Sequence, residues 1–311
     1  MRCLLVAILL TAQAQSYPDT GRKVRHIIPW GAGGATDTAM RGFAQYFEKY
    51  LGVPVITENI PGGLSAVGLL RLKAARPDGY TVGTLTYDVL TLSFQGLAPI
   101  SWKDFEPLGM VTEHPSALVV SADRFEDLDA FRREASSRPK ALKVGNVGTG
   151  GIWHQHAAAM ETALGVKLAH IPYEAGSGAQ LAALLGGEVD ANVASLPASL
   201  PHVREGTLRV LAVMSESRDP LVPDVPTFKE KGFDLVQGGF RVLAVPKGTP
   251  VPVRRKLERA LESALEDAGF RSWAEKAVIG ARFRNAADTR AYLKKTARRV
   301  ESLMKTLELT P

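Results

Sequence analysis

The sequence predicts an α/β protein of two lobes with a cleft between them, and three observations carry that expectation. From Lys23 to Leu265 short apolar runs alternate with helix-period segments, the rhythm of strands joined by crossover helices. Strand after strand ends in a small-residue turn that opens a helix. Two longer stretches, 117–136 and 240–265, read as an apolar strand, a turn and an amphipathic helix begun by an acidic or proline-containing cap, and resemble crossover points between lobes.

Strands are expected at 24–29 (VRHIIP), 53–59 (VPVITEN), 81–86 (TVGTLT), 116–121 (SALVVS) and 142–147 (LKVGNV). Four more follow at 168–173 (LAHIPY), 189–195 (VDANVAS), 208–214 (LRVLAVM) and 240–246 (FRVLAVP), and the pattern suggests largely parallel pairing. Between the first two, Ala39, Phe43, Tyr46, Phe47 and Leu51 fall on one helical stripe that Gly52 ends. WHQHAAAMETALGV (153–166) and GAQLAALLGGE (178–188) repeat that design. On this reading residues 22–117 and 240–311 form one lobe and 118–239 the other; one continuous doubly wound domain also fits the periodicity.

The N-terminus predicts export. MRCLLVAILLTAQAQS has a lone Arg2, an apolar run from Cys3 to Leu10 and a small-x-small site at Ala12-Gln13-Ala14, so residues 1–14 read as a cleavable signal peptide. Cys3 is the only cysteine of the 311 residues, so the mature chain is left without a disulfide. Export of a soluble, cysteine-free chain points to a bacterial periplasm. The composition, 45% hydrophobic and 23% charged, is that of a folded globular protein. Its formal charge of +6 is not gathered into a nucleic-acid footprint, because the basic groups at 253–259 and 294–299 lie in helical patterns as solvated faces.

What the glycine turns could hold is anionic. Gly31, Gly33 and Gly34 precede a helix starting near Thr36, and such a turn can offer backbone amides at the positive end of a helix dipole. GNVGTGGIWHQH repeats the construction with Gly148, Thr149, Gly150 and Gly151 before the helix of His154. ENIPGGLSAVG (Gly62, Gly63, Ser65) and IPYEAGSGAQ (Tyr173, Gly176, Ser177, Gly178) add two more. Dinucleotide and P-loop fingerprints both fail: GAGGAT lacks the third glycine, and GxxxxGK[ST] is absent. His154 and His156, two apart on a helix, cannot share a metal there, and neither a nucleophile–base pair nor a G-x-S-x-G elbow is present. Neither a metal, a cofactor nor enzyme chemistry is expected.

The motifs PWGAGGATDTAMR, ENIPGG, ARPDGYTVGTLT, GTGGIWHQHAA, GVKLAHIPYEAGSGAQLAALLGGEVDA, LPHVREGTLRVLAVMS, PDVPTFKEKGFD and FRVLAVPKGTP, in this order, resemble the Bug family of periplasmic solute-binding proteins, the TctC-type receptors of tripartite tricarboxylate transporters. The resemblance implies a type II-like periplasmic binding protein fold, two Rossmann-like lobes with the ligand cleft at the hinge. It implies a monomer that captures an organic carboxylate, most often a di- or tricarboxylate, and delivers it to membrane permease subunits. A receptor presenting the bound acid to a membrane sensor kinase is the alternative. The family's ligand contacts carry over as Trp30, Gly31, Ala32, Gly33, Gly34, Thr36 and Asp37, with Thr86 and Tyr87 after the third strand. The second lobe adds Gly148, Thr149, Gly150, Gly151, Ile152, His154, Tyr173, Gly176 and Ser195. Asp37 is expected to cap its helix or fix its turn, since a carboxylate aimed at an anion would repel it. Two departures stand out: Glu174 adds a negative charge after the tyrosine, and Phe240 stands where relatives often carry tryptophan. Trp30, Trp153 and Phe240 are candidates for an apolar cleft wall or for core packing.

Overall fold

A computed structural model describes residues 17–148, 150–173 and 177–306. The segment 1–14 expected to be a signal peptide, Thr149, Glu174 and Gly176 lie outside the described residues. The chain opens with β1 (Val24–Ile28), α1 (Ala35–Leu51), β2 (Val55–Asn59), α2 (Ala66–Lys73) and β3 (Thr81–Leu85). Two 3₁₀ turns, Tyr87–Leu90 and Trp102–Asp104, follow β3, and β4 (Phe105–Ser121) comes next. Then come α3 (Leu128–Ser137), β5 (Lys143–Asn146), α4 (Ile152–Leu164), β6 (Ala169–Pro172), α5 (Ser177–Leu185), β7 (Ala191–Ser195), α6 (Leu196–Arg204) and β8 (Leu208–Val213). The chain finishes through β9 (Gly238–Pro246), α7 (Val251–Glu266), α8 (Ala268–Lys276), β10 (Ala281–Asn285) and α9 (Ala286–Thr306).

Each expected strand is present, but the pairing is mixed rather than largely parallel. β1 pairs in parallel with β2 and β3, and β5 with β6 and β7. The ladders that join these two parallel groups are antiparallel: β3 with β9, β9 with β4, and β4 with β7 and β8. The reason is β4, which at 17 residues is long enough to serve both groups. Its residues from Phe105 to Pro115 pair with β9, and those from Ser116 onward pair with β7. The partner therefore changes between Pro115 and Ser116, at a proline that has no N–H for a ladder bond. A strand expected only at 116–121 thus begins at Phe105, and Pro107 sits beside one of its register shifts.

β10 adds a further antiparallel strand on β4 that periodicity could not flag, because its sequence ARFRN is mostly exposed and has no apolar face. Four apolar clusters cover the two sheet regions. In the first, Val24, Ile28, Val82 and Leu243 of the strands pack under Phe43 and Phe47 of α1, Leu257 and Leu261 of α7, and Phe270 of α8. On the opposite face Ile27, Leu85, Val242 and Phe240 meet Leu69 of α2 and Leu293 of α9. In the second region Leu118, Val144 and Val193 pack against Phe131 of α3 and Met160 of α4, while Val119 and Val210 meet Leu184 of α5 and Leu200 of α6. Each group of strands thus has helices on both faces, with β4 running through both.

Candidate functional site

The turn after β1 is built around a carboxylate that serves the protein itself. Gly33 takes a left-handed φ of 77°, which brings its N–H to Asp37 Oδ2 at 2.9 Å. The other Asp37 oxygen accepts from Arg41 Nε at 2.7 Å and Asn59 Nδ2 at 2.8 Å, and the same Asn59 amide donates to the Trp30 carbonyl. Burial opposes ionisation of Asp37, but the bonds from Gly33, Asn59 and Arg41 outweigh it and hold the carboxyl below its ordinary range. The loop surface stays open: Gly31, Ala32, Gly33 and Gly34 are exposed, and α1 starts at Gly34 with no side-chain cap. Its first amides have no intrahelical acceptor, which leaves them to a ligand or solvent.

Behind that turn, Trp30 Nε1 donates to Thr86 Oγ1 at 3.1 Å, and Thr86 in turn donates to the buried Asp88 carboxylate at 3.1 Å. Burial pushes the Asp88 carboxyl up to about 6. Tyr87 is fully buried; its ring meets His156 edge-on at 4.9 Å, and its hydroxyl points to Gln155 Oε1 at 3.4 Å. The 3₁₀ turn after β3 thus reaches the helix that follows β5.

The second turn, between β5 and α4, is braced from within. Gly148 N donates to Asn146 Oδ1 at 3.1 Å, Gly150 N to His154 Nδ1 at 3.0 Å and Gly151 N to Gly148 O at 3.2 Å. The amides of Gly150 and Gly151 are therefore engaged and not free, and those that start α4, from Ile152 onward, are the ones without an intrahelical acceptor. Gly150 O receives Gln155 Nε2 at 2.8 Å and Gln95 Nε2 at 2.6 Å. Gln95 belongs to the segment between β3 and β4, so this bond and the Tyr87–Gln155 contact tie the two turns together.

Other expected residues are placed differently. The Tyr173 hydroxyl points to Glu188 Oε2 at 3.4 Å. Ser195, at the start of α6, stands opposite Ser116 in the β4–β7 ladder. Phe240 is in the core, edge-on to Tyr292 at 5.7 Å, which settles its packing role. Trp153 is buried with Nε1 donating to Ser177 Oγ at 3.2 Å, while Trp30 is half-buried.

Several polar residues here went unread in the sequence, Gln95, Gln155, His114 and Arg241, and His156 was weighed there only as a metal ligand. His156 shares a 2.8 Å hydrogen bond with Ser116 Oγ, and its Nε2 has no partner among the described residues. Burial drives His114 and His156 down to about 3, so both are neutral at pH 7. Arg241 alternates with the apolar residues of β9, and a lone charge in an otherwise buried strand was the signal available for it. On the other side of β4 a groove of about 1090 Å³ is also rich in basic residues. There Arg282 and Arg284 are paired with Glu113 and Arg299 with Glu216, so its charge is largely spent. Among the described residues no cluster of His, Cys, Asp or Glu could hold a metal ion.

Comparison with known proteins shows the family. The family model described as tripartite tricarboxylate transporter family receptor matches residues 39–309. Protein BugT of Bordetella pertussis is 31% identical over 265 residues, covering 83% of this chain and 80% of its own. A TctC solute binding protein from Polaromonas, solved with no ligand, superposes with a TM-score of 0.82 at 33% identity, covering 94% of this chain and 100% of that one. MatC from Rhodopseudomonas palustris, solved with bound malate, superposes with a TM-score of 0.77 at 28% identity, covering 91% of this chain and 98% of that one.

Proposed function

Because this chain belongs to the tripartite tricarboxylate transporter receptor family, we propose that it closes two lobes on a small organic carboxylate and hands it to the transporter's membrane permease subunits. It is a solute-binding protein and not an enzyme, as are the relatives it superposes on. The observation that supports the ligand site best is the pairing of two uncapped helix starts, at Gly34 and Gly151, through Trp30–Thr86, Tyr87–Gln155 and Gln95–Gly150. Two such ends offer positive potential to the two carboxylates of a diacid, and a ligand held by both favours the closed arrangement. The malate bound to MatC makes a short dicarboxylate the first candidate.

The ligand contacts we assign are the amides and hydroxyls of Gly31, Ala32, Gly34 and Thr36 in the first turn and of Thr149 and Ile152 in the second. Gly33, Asp37, Gly148, Gly150 and His154 shape those turns. The lobes we assign are 22–117 with 240–311, and 118–239, hinged where β4 changes partner at Pro115–Ser116. The family is one of periplasmic receptors, and residues 1–14 would be the signal that takes a monomeric chain there. The sensing alternative is not favoured, since the matching family is described by transport.

The test is calorimetric titration of refolded, ligand-stripped protein with malate, succinate, citrate and glutamate, followed by uptake of the bound acid in a strain lacking the gene. At a ligand concentration about a thousandfold above Kd, binding should add about 4 kcal/mol of stability. A well-folded protein that binds none of these acids would overturn the reading.

A further inference from the structure

Arg241 is buried, with 8% of its surface exposed, and it is the only buried lysine or arginine among the described residues. Buried cations are ordinarily paired, because the desolvation of a guanidinium is repaid only by an opposing charge and a full set of hydrogen bonds. Arg241 has no such partner. Its Nε donates to Thr36 Oγ1 at 3.2 Å and its Nη1 to Thr112 Oγ1 at 3.0 Å. Those two neutral hydroxyls occupy two of five N–H donors.

The carboxylates on the segments that flank it are committed elsewhere, Glu113 of β4 among them, which pairs with Arg282 and Arg284. Both oxygens of Asp37 are taken by Gly33, Arg41 and Asn59, and Asp88 accepts from Thr86. Burial lowers Arg241 only to about 10, so it stays charged at neutral pH. His114 and His156, the neighbouring titratable groups at the hinge, are neutral there.

The position of this charge is as telling as its isolation. In the ladder Leu85, the last residue of β3, lies opposite Val242, so Arg241 is level with Thr86 and with the turn carrying Trp30. Thr36 is in the first turn of α1, the uncapped positive end of a helix. A cation placed at that end is repelled by the helix dipole, so the two hydroxyl bonds to Thr36 and Thr112 are made against an unfavourable field. An anion resting there resolves both terms, meeting the free amides of α1 and the open edge of the guanidinium in one place.

We propose that Arg241 is the ligand's counter-ion: a specificity-determining residue that forms a salt bridge to one carboxylate of the bound acid, beside the first amides of α1. This rests on the receptor reading above and sharpens it. Recognition then carries a full formal charge on the first-lobe side and helix-end amides alone on the second. The acid must therefore present an ionised carboxylate to the first lobe, whereas the group facing α4 can be a carboxylate or a neutral acceptor.

The experiment compares wild type, R241K, R241Q and R241M by calorimetric titration with malate, succinate, citrate and glutamate, each acid beside its monoamides, and by melting temperature without ligand. R241Q should bind the acids about 10- to 100-fold more weakly. R241K should fall between, and the preference of wild type for an acid over one of its monoamides should collapse in R241Q. Unliganded R241Q and R241M should melt at or above the wild-type temperature, because an unpaired buried charge has been removed. Wild-type binding with unchanged affinity in R241Q overturns the role of Arg241 and leaves the receptor reading intact. A melting temperature several degrees lower in all three variants, with affinity restored when the folded fraction is counted, shows a purely structural arginine and also overturns it. Wild type that binds none of the four acids overturns the receptor reading, and this inference falls with it.

Discussion

Gln95 Nε2 donates a 2.6 Å hydrogen bond to the carbonyl of Gly150, joining the segment after β3 to the turn before α4. Gly150 has a left-handed φ of 78°, and a Cβ on it would meet Gln95 Nε2 at 2.5 Å, so glycine is what allows the approach. A bond of this kind contributes about 0.5–1.5 kcal/mol, and if it forms only when the lobes are closed, Gln95→Ala should shift the closed-to-open ratio by about 2- to 12-fold. Small-angle scattering of unliganded Q95A should show a larger radius of gyration than wild type, with melting almost unchanged. Identical scattering profiles would mean that this bond does not report on closure.

Asp37 should be indispensable to the first turn. Asp37→Ala removes the acceptor for Gly33 N, Arg41 and Asn59 together, and with it the fold of the exposed loop. The Arg41 contribution is small because that side chain is 44% exposed, so the main loss is the two buried-side bonds, about 2–3 kcal/mol. Denaturant unfolding should show that loss, with Asp37→Asn in between. A variant as stable as wild type would assign the turn's geometry to glycine alone.

Much of this could be read from the chain, and the gaps have physical causes. β1, β5 and the helices beginning at Ala35 and Ile152 announce themselves by apolar periodicity and glycine punctuation, and the role of Asp37 in its turn follows from charge alone. The N-terminal half of β4 does not, because Pro107, Gly109, Glu113 and Pro115 mask the alternation. Nor does β10, held on β4 with its ion pair from Arg284 to Glu113. The site was half legible for a related reason. Turns are written locally, but Gln95, Gln155 and Arg241 act through partners 55, 68 and 205 residues away, a relation that single-sequence reading does not contain.

Ser65 is in a conformation that costs energy without visible return. It takes φ 76° at the start of α2, it is fully buried, and its Oγ has no hydrogen-bond partner among the described residues. A left-handed non-glycine residue costs about 1–2 kcal/mol, and a buried unsatisfied hydroxyl adds to that. Ser65→Gly should therefore raise the melting temperature, by about 1.5–2 °C for each kcal/mol in a protein of this size. A lower melting temperature would show that the hydroxyl has a partner in solution.

Acid should unfold the protein well before its carboxylates are exhausted. Burial holds His26, His114 and His156 near 3, below their unfolded value of about 6.5. Their contribution to stability is complete above about pH 6.5 and is lost as the pH falls toward 3, because the unfolded chain gains protons that the native core refuses. Once all three unfolded imidazoles are protonated the slope is about 4 kcal/mol per pH unit. Asp88 acts in the opposite sense: burial raises it to about 6, so its charge costs stability above that pH and relieves it below, offsetting about 1.4 kcal/mol per unit between pH 4 and 6. Urea titrations should show a shallow slope near pH 7 that steepens to the difference, about 2.7 kcal/mol per unit, between pH 6 and 4. His156→Gln should lower that slope by about 1.4, and Asp88→Asn should stabilise the protein at pH 8 while steepening the fall below pH 6. A flat profile from pH 7 to 5 would show that these imidazoles reach water in the native state, and the neutral hinge drawn here would have to be abandoned.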